Sequence, residues 1–260
     1  MVRVGLVQLA VDERESISGR IDRALEVTEE TAGSADVVIL PEVWPTGAFN
    51  VNLGLQNAQQ INSPLIGQLA EIAERTSTWL HGGSFVEVDA AGRFFNTSVL
   101  FAPNGSLAGV YRKIHLFGFD AEEAALLSAG TDLVTVDTPL GLTGLATCYD
   151  LRFPEMFRAL MDRGATAFLV ASGWPAARIR HWNILAQARA IENQAWFVGC
   201  NAAGYHAGTE LGGRSIVVDP WGDPVAEAGQ KDEVLFADIN PLRPDAIRQS
   251  FPVLKDRKAF

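Results

Sequence analysis

The 260-residue sequence predicts an α/β fold, with mixed sheets inside and helices outside, from three observations. Two short apolar runs, Val37-Val38-Ile39-Leu40 and Ala167-Phe168-Leu169-Val170-Ala171, read as buried strands, the first with the continuous hydrophobicity of a strand covered on both faces. Stretches with helical apolar spacing lie between the extended segments. Residues 79–113 change to extended pieces split by turn signals.

In chain order, residues 2–10 read as a strand. Ile21, Ala24, Leu25 and Thr28 then share one helical face with acids opposite, and the run at Val37 completes a strand–helix–strand unit. Ser63 as N-cap, with Pro64 at the first helical position, announces a second helix whose apolar face is Leu65, Leu69, Ile72 and Ala73. Asp89-Ala90-Ala91-Gly92 and Pro103-Asn104-Gly105 divide residues 79–113 into antiparallel hairpins. The second half alternates in the same way, with strand 142–147, helix 155–163, strand 167–171, helix 181–193 and strand 196–199. Residues 213–238 then form a hairpin turning at Pro220-Trp221-Gly222-Asp223. No low-complexity linker or charge run divides the chain, so residues 1–260 read as one domain of two loosely similar halves.

Composition narrows the function. With 48% hydrophobic and 20% charged residues the chain can bury a core. Its net charge of −10, with no Lys/Arg cluster, argues against nucleic acid and anionic membrane as partners. The N-terminal MVRVGLVQLA is too short and too soon followed by charges to be a signal peptide or a membrane span. Two cysteines, Cys148 and Cys200, suggest free thiols in a reducing cytoplasm rather than a disulfide framework. The four histidines (His81, His115, His181 and His206) lack metal-ligand spacing, and no G-x-G-x-x-G follows the first strand. Neither a metal nor a dinucleotide is expected.

Three places can carry chemistry. Cys148 ends the strand Gly144-Leu145-Ala146-Thr147 and precedes a turn into a helix. Strand carboxyl ends favour catalytic groups in α/β proteins, and free N–H groups at a helix start can stabilise a thiolate that otherwise forms only near about pH 8.5. A buried structural cysteine is the plain alternative, and Cys200, with no neighbouring acid or base, is read as core. Glu42 follows Pro41 at the end of a buried strand, where burial would raise a carboxylate's pKa and suit it to proton transfer. Lys113 sits in Tyr111-Arg112-Lys113-Ile114-His115, where an extended segment runs out; alone, it reads as a surface lysine. His115 beside it leaves a Cys–His dyad open.

Together these places resemble the nitrilase superfamily of carbon–nitrogen hydrolases over nearly the whole chain. Leu40-Pro41-Glu42 is similar to that family's glutamate motif, Tyr111-Arg112-Lys113-Ile114-His115-Leu116 to its lysine motif, and Cys148-Tyr149-Asp150-Leu151-Arg152-Phe153-Pro154-Glu155 to its cysteine motif. Arg189-Ala190-Ile191-Glu192-Asn193 is a fourth similar element. The resemblance implies a four-layer α-β-β-α sandwich with two mixed β-sheets. It also implies a homodimer or higher homo-oligomer paired across helices near the site, around Trp182, Leu185 and Ile191, which are equally candidates for core. It further implies a second glutamate, Glu123, supporting the lysine, with Glu122 adjacent. The implied activity is hydrolysis of a small carboxamide by Cys148, with Glu42 as proton shuttle, Lys113 and the Tyr149 N–H at the oxyanion, and no cofactor.

The cysteine motif resembles the small-amide amidases, nearest the ω-amidases that act on dicarboxylic acid monoamides such as 2-oxoglutaramate. Deaminated-glutathione amidase, N-carbamoyl amino-acid hydrolase, nitrilase and an inert scaffold of the same fold stand as alternatives. For an ω-amidase, Trp174 would wall the pocket and Arg178 would hold the substrate carboxylate, with Arg152 as the competing anchor.

Overall fold

The computed structural model describes residues 1–118 and 122–258. The first half runs β1 (Val2–Gln8), β2 (Ala10–Asp12), α1 (Ile17–Ala32), β3 (Val37–Ile39), α2 (Val51–Gln56), α3 (Pro64–Thr76), β4 (Trp79–Val88), β5 (Phe94–Phe101) and β6 (Leu107–Arg112). The second runs α4 (Glu122–Leu126), β7 (Thr135–Thr138), β8 (Gly141–Thr147), α5 (Pro154–Asp162), β9 (Ala167–Ser172), α6 (Ile179–Asn193) and β10 (Trp196–Asn201). It ends with β11 (Ala203–His206), β12 (Thr209–Gly212), β13 (Ile216–Val218), β14 (Pro224–Glu227), β15 (Glu233–Ile239) and α7 (Arg243–Ser250).

Two six-stranded sheets have matching topologies, β15-β1-β3-β4-β5-β6 and β7-β8-β9-β10-β13-β14. In each, three parallel strands linked through helices lie between one antiparallel strand on one side and two on the other. The two sheets thus share one winding, although the first takes its edge strand β15 from the C-terminal half of the chain.

Strand periodicity explains the layers. Val37 and Ile39 join Val4 and Leu6 against the second sheet, whereas Val38 and Leu40 pack with α1 and α3. Helices α5 and α6 cover the other sheet through Phe157, Leu160, Trp182 and Ala186. The result is the α-β-β-α sandwich. Pro64 starts α3 as expected, and Leu65, Ile66, Leu69, Ile72 and Ala73 are its buried face. Ser63 has extended backbone but its side chain makes no capping bond, so the proline rather than a hydroxyl sets that start. Leu69 is fully buried; truncating it to alanine should cost about 2–5 kcal/mol.

Two expectations change and one open choice is decided. Residues 2–10 are not one strand: the chain leaves the first sheet after Gln8, and β2 joins β11 and β12 in a small third sheet. Nor is 213–238 one hairpin, because only β13 and β14 pair, and β15 crosses back to lie antiparallel to β1 from Val2↔Ile239 to Gln8↔Glu233. Trp182 is fully buried core, while Ile184 and Ile191 of the same helix are exposed.

Candidate functional site

Glu42, Lys113 and Cys148, widely separated in sequence, line one pocket of about 520 Å³ including its mouth, together with Glu123, Tyr149, Trp174 and Arg178. The fold brings them together because Glu42 follows β3, Lys113 follows β6 and Cys148 follows β8, where strands of both sheets run out.

Close backbone packing fixes the first two. After β3 the chain turns at Val43, whose φ of 43° is rare for a β-branched residue. The Val43 N–H donates to Ser84 Oγ at 2.9 Å and the Trp44 indole to the Gly82 carbonyl at 2.9 Å. Gly83, at φ +65°, must lack a side chain there, because a Cβ would lie 2.2 Å from the Pro41 carbonyl oxygen. Behind Lys113 the chain returns at Gly130, whose N–H donates to the Lys113 carbonyl at 2.9 Å; a Cβ at this glycine would strike the Arg112 oxygen at 2.1 Å.

The Lys113 ammonium donates to Glu42 Oε1 at 2.8 Å and to Glu123 Oε2 at 2.7 Å, and all three side chains are buried. Asn96 Nδ2 spans the same two carboxylates, donating to Glu42 Oε1 at 2.9 Å and Glu123 Oε1 at 2.7 Å. Backbone donors complete the cluster: the Gly173 N–H to Glu42 Oε2 and the Phe117 N–H to Glu123 Oε2, each at 2.9 Å. Burial alone would lower the Lys113 pKa, but the charges of Glu123 and Glu42 outweigh it and hold it well above the ordinary lysine value. The site therefore carries a permanent, immobilised cation.

Cys148 opens a single 3₁₀ turn, Cys148–Arg152, with φ of 43°, so the chain bends sharply at the candidate nucleophile. Part of its surface remains open to the pocket, while protein crowds the sulfur on its other sides. The expected thiolate-stabilising effect of a helix start is overridden. Burial, followed by the Glu42 charge, pushes the thiol's pKa up, and Lys113 and Ser172 only partly oppose it. The resting sulfur is thus a thiol whose proton must be taken by a base, and Glu42 bears on it both by charge and as a hydrogen-bond acceptor. The Tyr149 N–H lies in the first turn, where backbone donors have no intrahelical partner.

His115 is not at the sulfur. Its Nδ1 lies 2.8 Å from Asp150 Oδ1 and its ring stacks on Phe153 at 3.7 Å between centroids, so the Cys–His arrangement gives way to a structural role. Cys200 is buried and donates to the Val7 carbonyl, in keeping with the core reading.

The rest of the pocket is aromatic and cationic. Trp174 is buried; its indole donates to the Arg178 carbonyl at 2.8 Å and its N–H to Asn201 Oδ1 at 2.6 Å, which fixes the wall. Arg152 lies 4.6 Å from the Trp174 ring centroid and Arg178 5.4 Å from that of Phe117. The Arg152 guanidinium faces His181 Nδ1, at 3.4 and 3.5 Å. Neither arginine is paired with a carboxylate among the described residues. Burial and then the positive charge of Arg178 lower the Arg152 pKa, the mark of two cations facing one space. Among the described residues no group of three His, Cys, Asp or Glu could hold a metal ion.

Sequence reasoning missed Asn96 and Gly173. The available signal for Asn96 was three successive polar residues, Asn96-Thr97-Ser98, inside an otherwise apolar strand; all three are buried. Gly173 contributes a backbone N–H, which no side-chain pattern reveals.

The sequence matches the carbon-nitrogen hydrolase family over residues 3–249. It is 41% identical to a 2-oxoglutaramate amidase of Paenarthrobacter nicotinovorans, across 98% of this chain and 89% of that protein. It is 35% identical to the omega-amidase NIT2 of Mus musculus, across 99% of this chain and 95% of the relative. The crystal structure of Saccharomyces cerevisiae Nit3, a member of branch 10 of the nitrilase superfamily, superposes with a TM-score of 0.89 at 30% identity, covering 99% of this chain and 97% of the other. Fold and sequence agree from end to end of the match, and the chain belongs to the carbon–nitrogen hydrolase family.

Proposed function

We propose that the chain is an ω-amidase, hydrolysing the terminal amide of a dicarboxylic acid monoamide such as 2-oxoglutaramate to the acid and ammonia. The observation that carries this reading is the charge layout of one pocket: Cys148, Glu42 and Lys113 lie with two arginines, Arg152 and Arg178, that have no carboxylate partner among the described residues. A substrate with an amide at one end and a carboxylate at the other fits that layout, since a guanidinium fork binds a carboxylate by paired hydrogen bonds. The similarity to enzymes named 2-oxoglutaramate amidase and omega-amidase supports it.

The geometry supports the following chemistry. Cys148 Sγ attacks the amide carbon while Glu42 takes the thiol proton. The developing oxyanion is held by the Lys113 ammonium and the Tyr149 N–H; one such donor is typically worth about 3–4 kcal/mol. The carbon–nitrogen bond breaks, Glu42 returns the proton to nitrogen, and ammonia leaves behind a thioester. Glu42 then deprotonates water, which adds to the thioester. The thiolate departs, recovers its proton, and the acid is released. Glu123 and Asn96 act by holding Lys113 and Glu42 in place.

The test is ammonia release from 2-oxoglutaramate compared with a carboxylate-free amide of similar length, deaminated glutathione, an N-carbamoyl amino acid and a nitrile. The expected order puts 2-oxoglutaramate first. Preference for the uncharged amide, or carbon dioxide released with ammonia from the carbamoyl substrate, would overturn the assignment.

We also propose that the protein pairs with itself. Ile184 and Ile191 are each 52% exposed on α6, and Ile191 packs on Gly222, next to the exposed Trp221–Phe251 pair. Such a connected apolar patch is a common signature of an interface. Sedimentation showing a monomer at micromolar concentration would contradict it. A cytoplasmic location is proposed on the two free thiols, Cys148 and Cys200; labelling of fractionated cells with a specific antibody would test it.

A further inference from the structure

The side chain of Ser172 is fully buried at the end of β9, and its hydroxyl has no partner in hydrogen-bonding geometry among the described residues. Native structures seldom leave a buried hydroxyl unpaired, because its lost hydration goes uncompensated. The surrounding backbone is fully engaged. The Ser172 carbonyl accepts from the N–H groups of Glu42 and Ala202, and the next N–H, of Gly173, donates to Glu42. Strands β8 and β9 pair in parallel as far as Thr147 opposite Ala171, so Cys148, the first residue after β8, comes off the sheet beside Ser172, which ends β9 still paired with Asn201 of β10.

The hydroxyl is also close enough to act on the thiol, working against burial and Glu42 to lower its pKa. Each charged group facing the sulfur already has a role. Glu42 after β3 raises the thiol's pKa, Lys113 after β6 lowers it, Glu123 on α4 works through Lys113, and Arg152 belongs to the same turn as Cys148. Among the described residues that act on the sulfur, Ser172 adds a neutral donor.

We propose that Ser172 is a further catalytic residue, whose hydroxyl donates to the Cys148 sulfur whenever that atom carries negative charge. This rests on Cys148 being the nucleophile. The bond is absent or weak to the resting thiol and strong to a thiolate, so it stabilises the transition states rather than the ground state. It acts twice. During attack, the thiol proton goes to Glu42 as the sulfur–carbon bond forms. During deacylation, the sulfur–carbon bond breaks and its electron pair returns to sulfur before Glu42 restores the proton. Ser172 keeps its own proton throughout.

The test compares wild type, Ser172→Ala, Ser172→Thr and Cys148→Ala. The readouts are the pH dependence of iodoacetamide modification at Cys148, located by peptide mass, with kcat/KM, the single-turnover deacylation rate and thermal unfolding. Ser172→Ala removes an unpaired group and should be at least as stable as wild type. Its alkylation profile should nevertheless move to higher pH, and kcat/KM and deacylation should each fall about ten-fold or more, the usual scale for a hydrogen bond to a charged group. Ser172→Thr should recover part of both. An unchanged alkylation profile with rates near wild type would overturn the proposal, as would a Ser172→Ala protein that unfolds, which would make the hydroxyl structural. If wild-type Cys148 resists modification and Cys148→Ala still turns over, the nucleophile reading fails and the role of Ser172 fails with it.

Discussion

The Tyr111 hydroxyl donates to Asp150 Oδ2 at 2.6 Å, joining the strand that leads to Lys113 in one sheet to the turn that begins at Cys148 in the other. Asp150 is fully buried and also accepts from the N–H groups of Thr147 and His115, at 2.9 and 3.0 Å. Burial, then the Asp150 charge, raises the Tyr111 pKa well above its usual value, so the phenol stays a donor. Tyr111→Phe leaves a buried carboxylate one donor short. Denaturant unfolding should show a loss of about 1.5–3 kcal/mol, together with a lower kcat as Lys113 and Cys148 lose their common anchor. Unchanged stability would mean that the link is dispensable.

Glu123 is expected to act through Lys113 rather than on substrate. Glu123→Gln removes one of the two anions that fix the ammonium. Steady-state kinetics should show kcat reduced by about 10–100-fold with KM little changed, since the proposed oxyanion donor would be misplaced while the two arginines proposed to hold the carboxylate are untouched. A change confined to KM would reassign Glu123 to substrate binding.

Alkaline pH should unfold the protein earlier than its surface charge would suggest. Cys148 and Cys200, both raised chiefly by burial, and Tyr111 and Lys113 all have folded-state pKa values above the unfolded ones. Their contribution is complete below the unfolded values, about 8.5 for a thiol, and is lost as pH rises toward the folded values, because only the unfolded chain has released the protons. The unfolding free energy should fall above that pH by up to about 1.4 kcal/mol per unit for each such group. Cys200→Ala should make the decline shallower. A flat profile between about pH 8 and 10 would contradict this assignment.

Legibility in the sequence followed the chain's local geometry. Glu42 and Cys148 could be read because each ends an apolar strand, and an α/β fold exposes its chemistry at such ends. Lys113 and Glu123 were legible only through motif resemblance, since nothing local marks a lysine that will be buried between two acids 71 and 10 residues away. Asn96, Gly173 and Ser172 were invisible for the same reason: their roles exist only once β5 and β9 are laid beside the chain ends after β3 and β8. The strand break after Gln8 was missed because Leu9 and Ala10 continue an apolar run without a turn residue. Trp182 was ambiguous because α6 is apolar on two faces, one buried against β10 and one exposed through Ile184 and Ile191.

Substrate choice should depend on the arginine pair. Arg178→Ala and Arg152→Ala should each lower the ratio of kcat/KM for 2-oxoglutaramate to that for a carboxylate-free amide of similar length. A loss of about 10–100-fold is the scale of a charge-assisted hydrogen bond. Arg152 also packs on Trp174, so its variant is expected to affect both substrates, whereas Arg178→Ala should act mainly on the charged one. A ratio unchanged in both variants would remove the pair from carboxylate recognition.

The most direct measurement is mass spectrometry of the intact protein and its peptides, quenched during turnover of 2-oxoglutaramate. The expected result is an acyl adduct, the substrate less ammonia, on the peptide carrying Cys148, formed with a burst of ammonia equal to the enzyme concentration. Cys148→Ala should show neither adduct nor turnover, and Cys200→Ala should keep most of both. Ammonia released at the normal rate by Cys148→Ala, or a wild-type adduct found only on another residue, would contradict a thioester mechanism at Cys148.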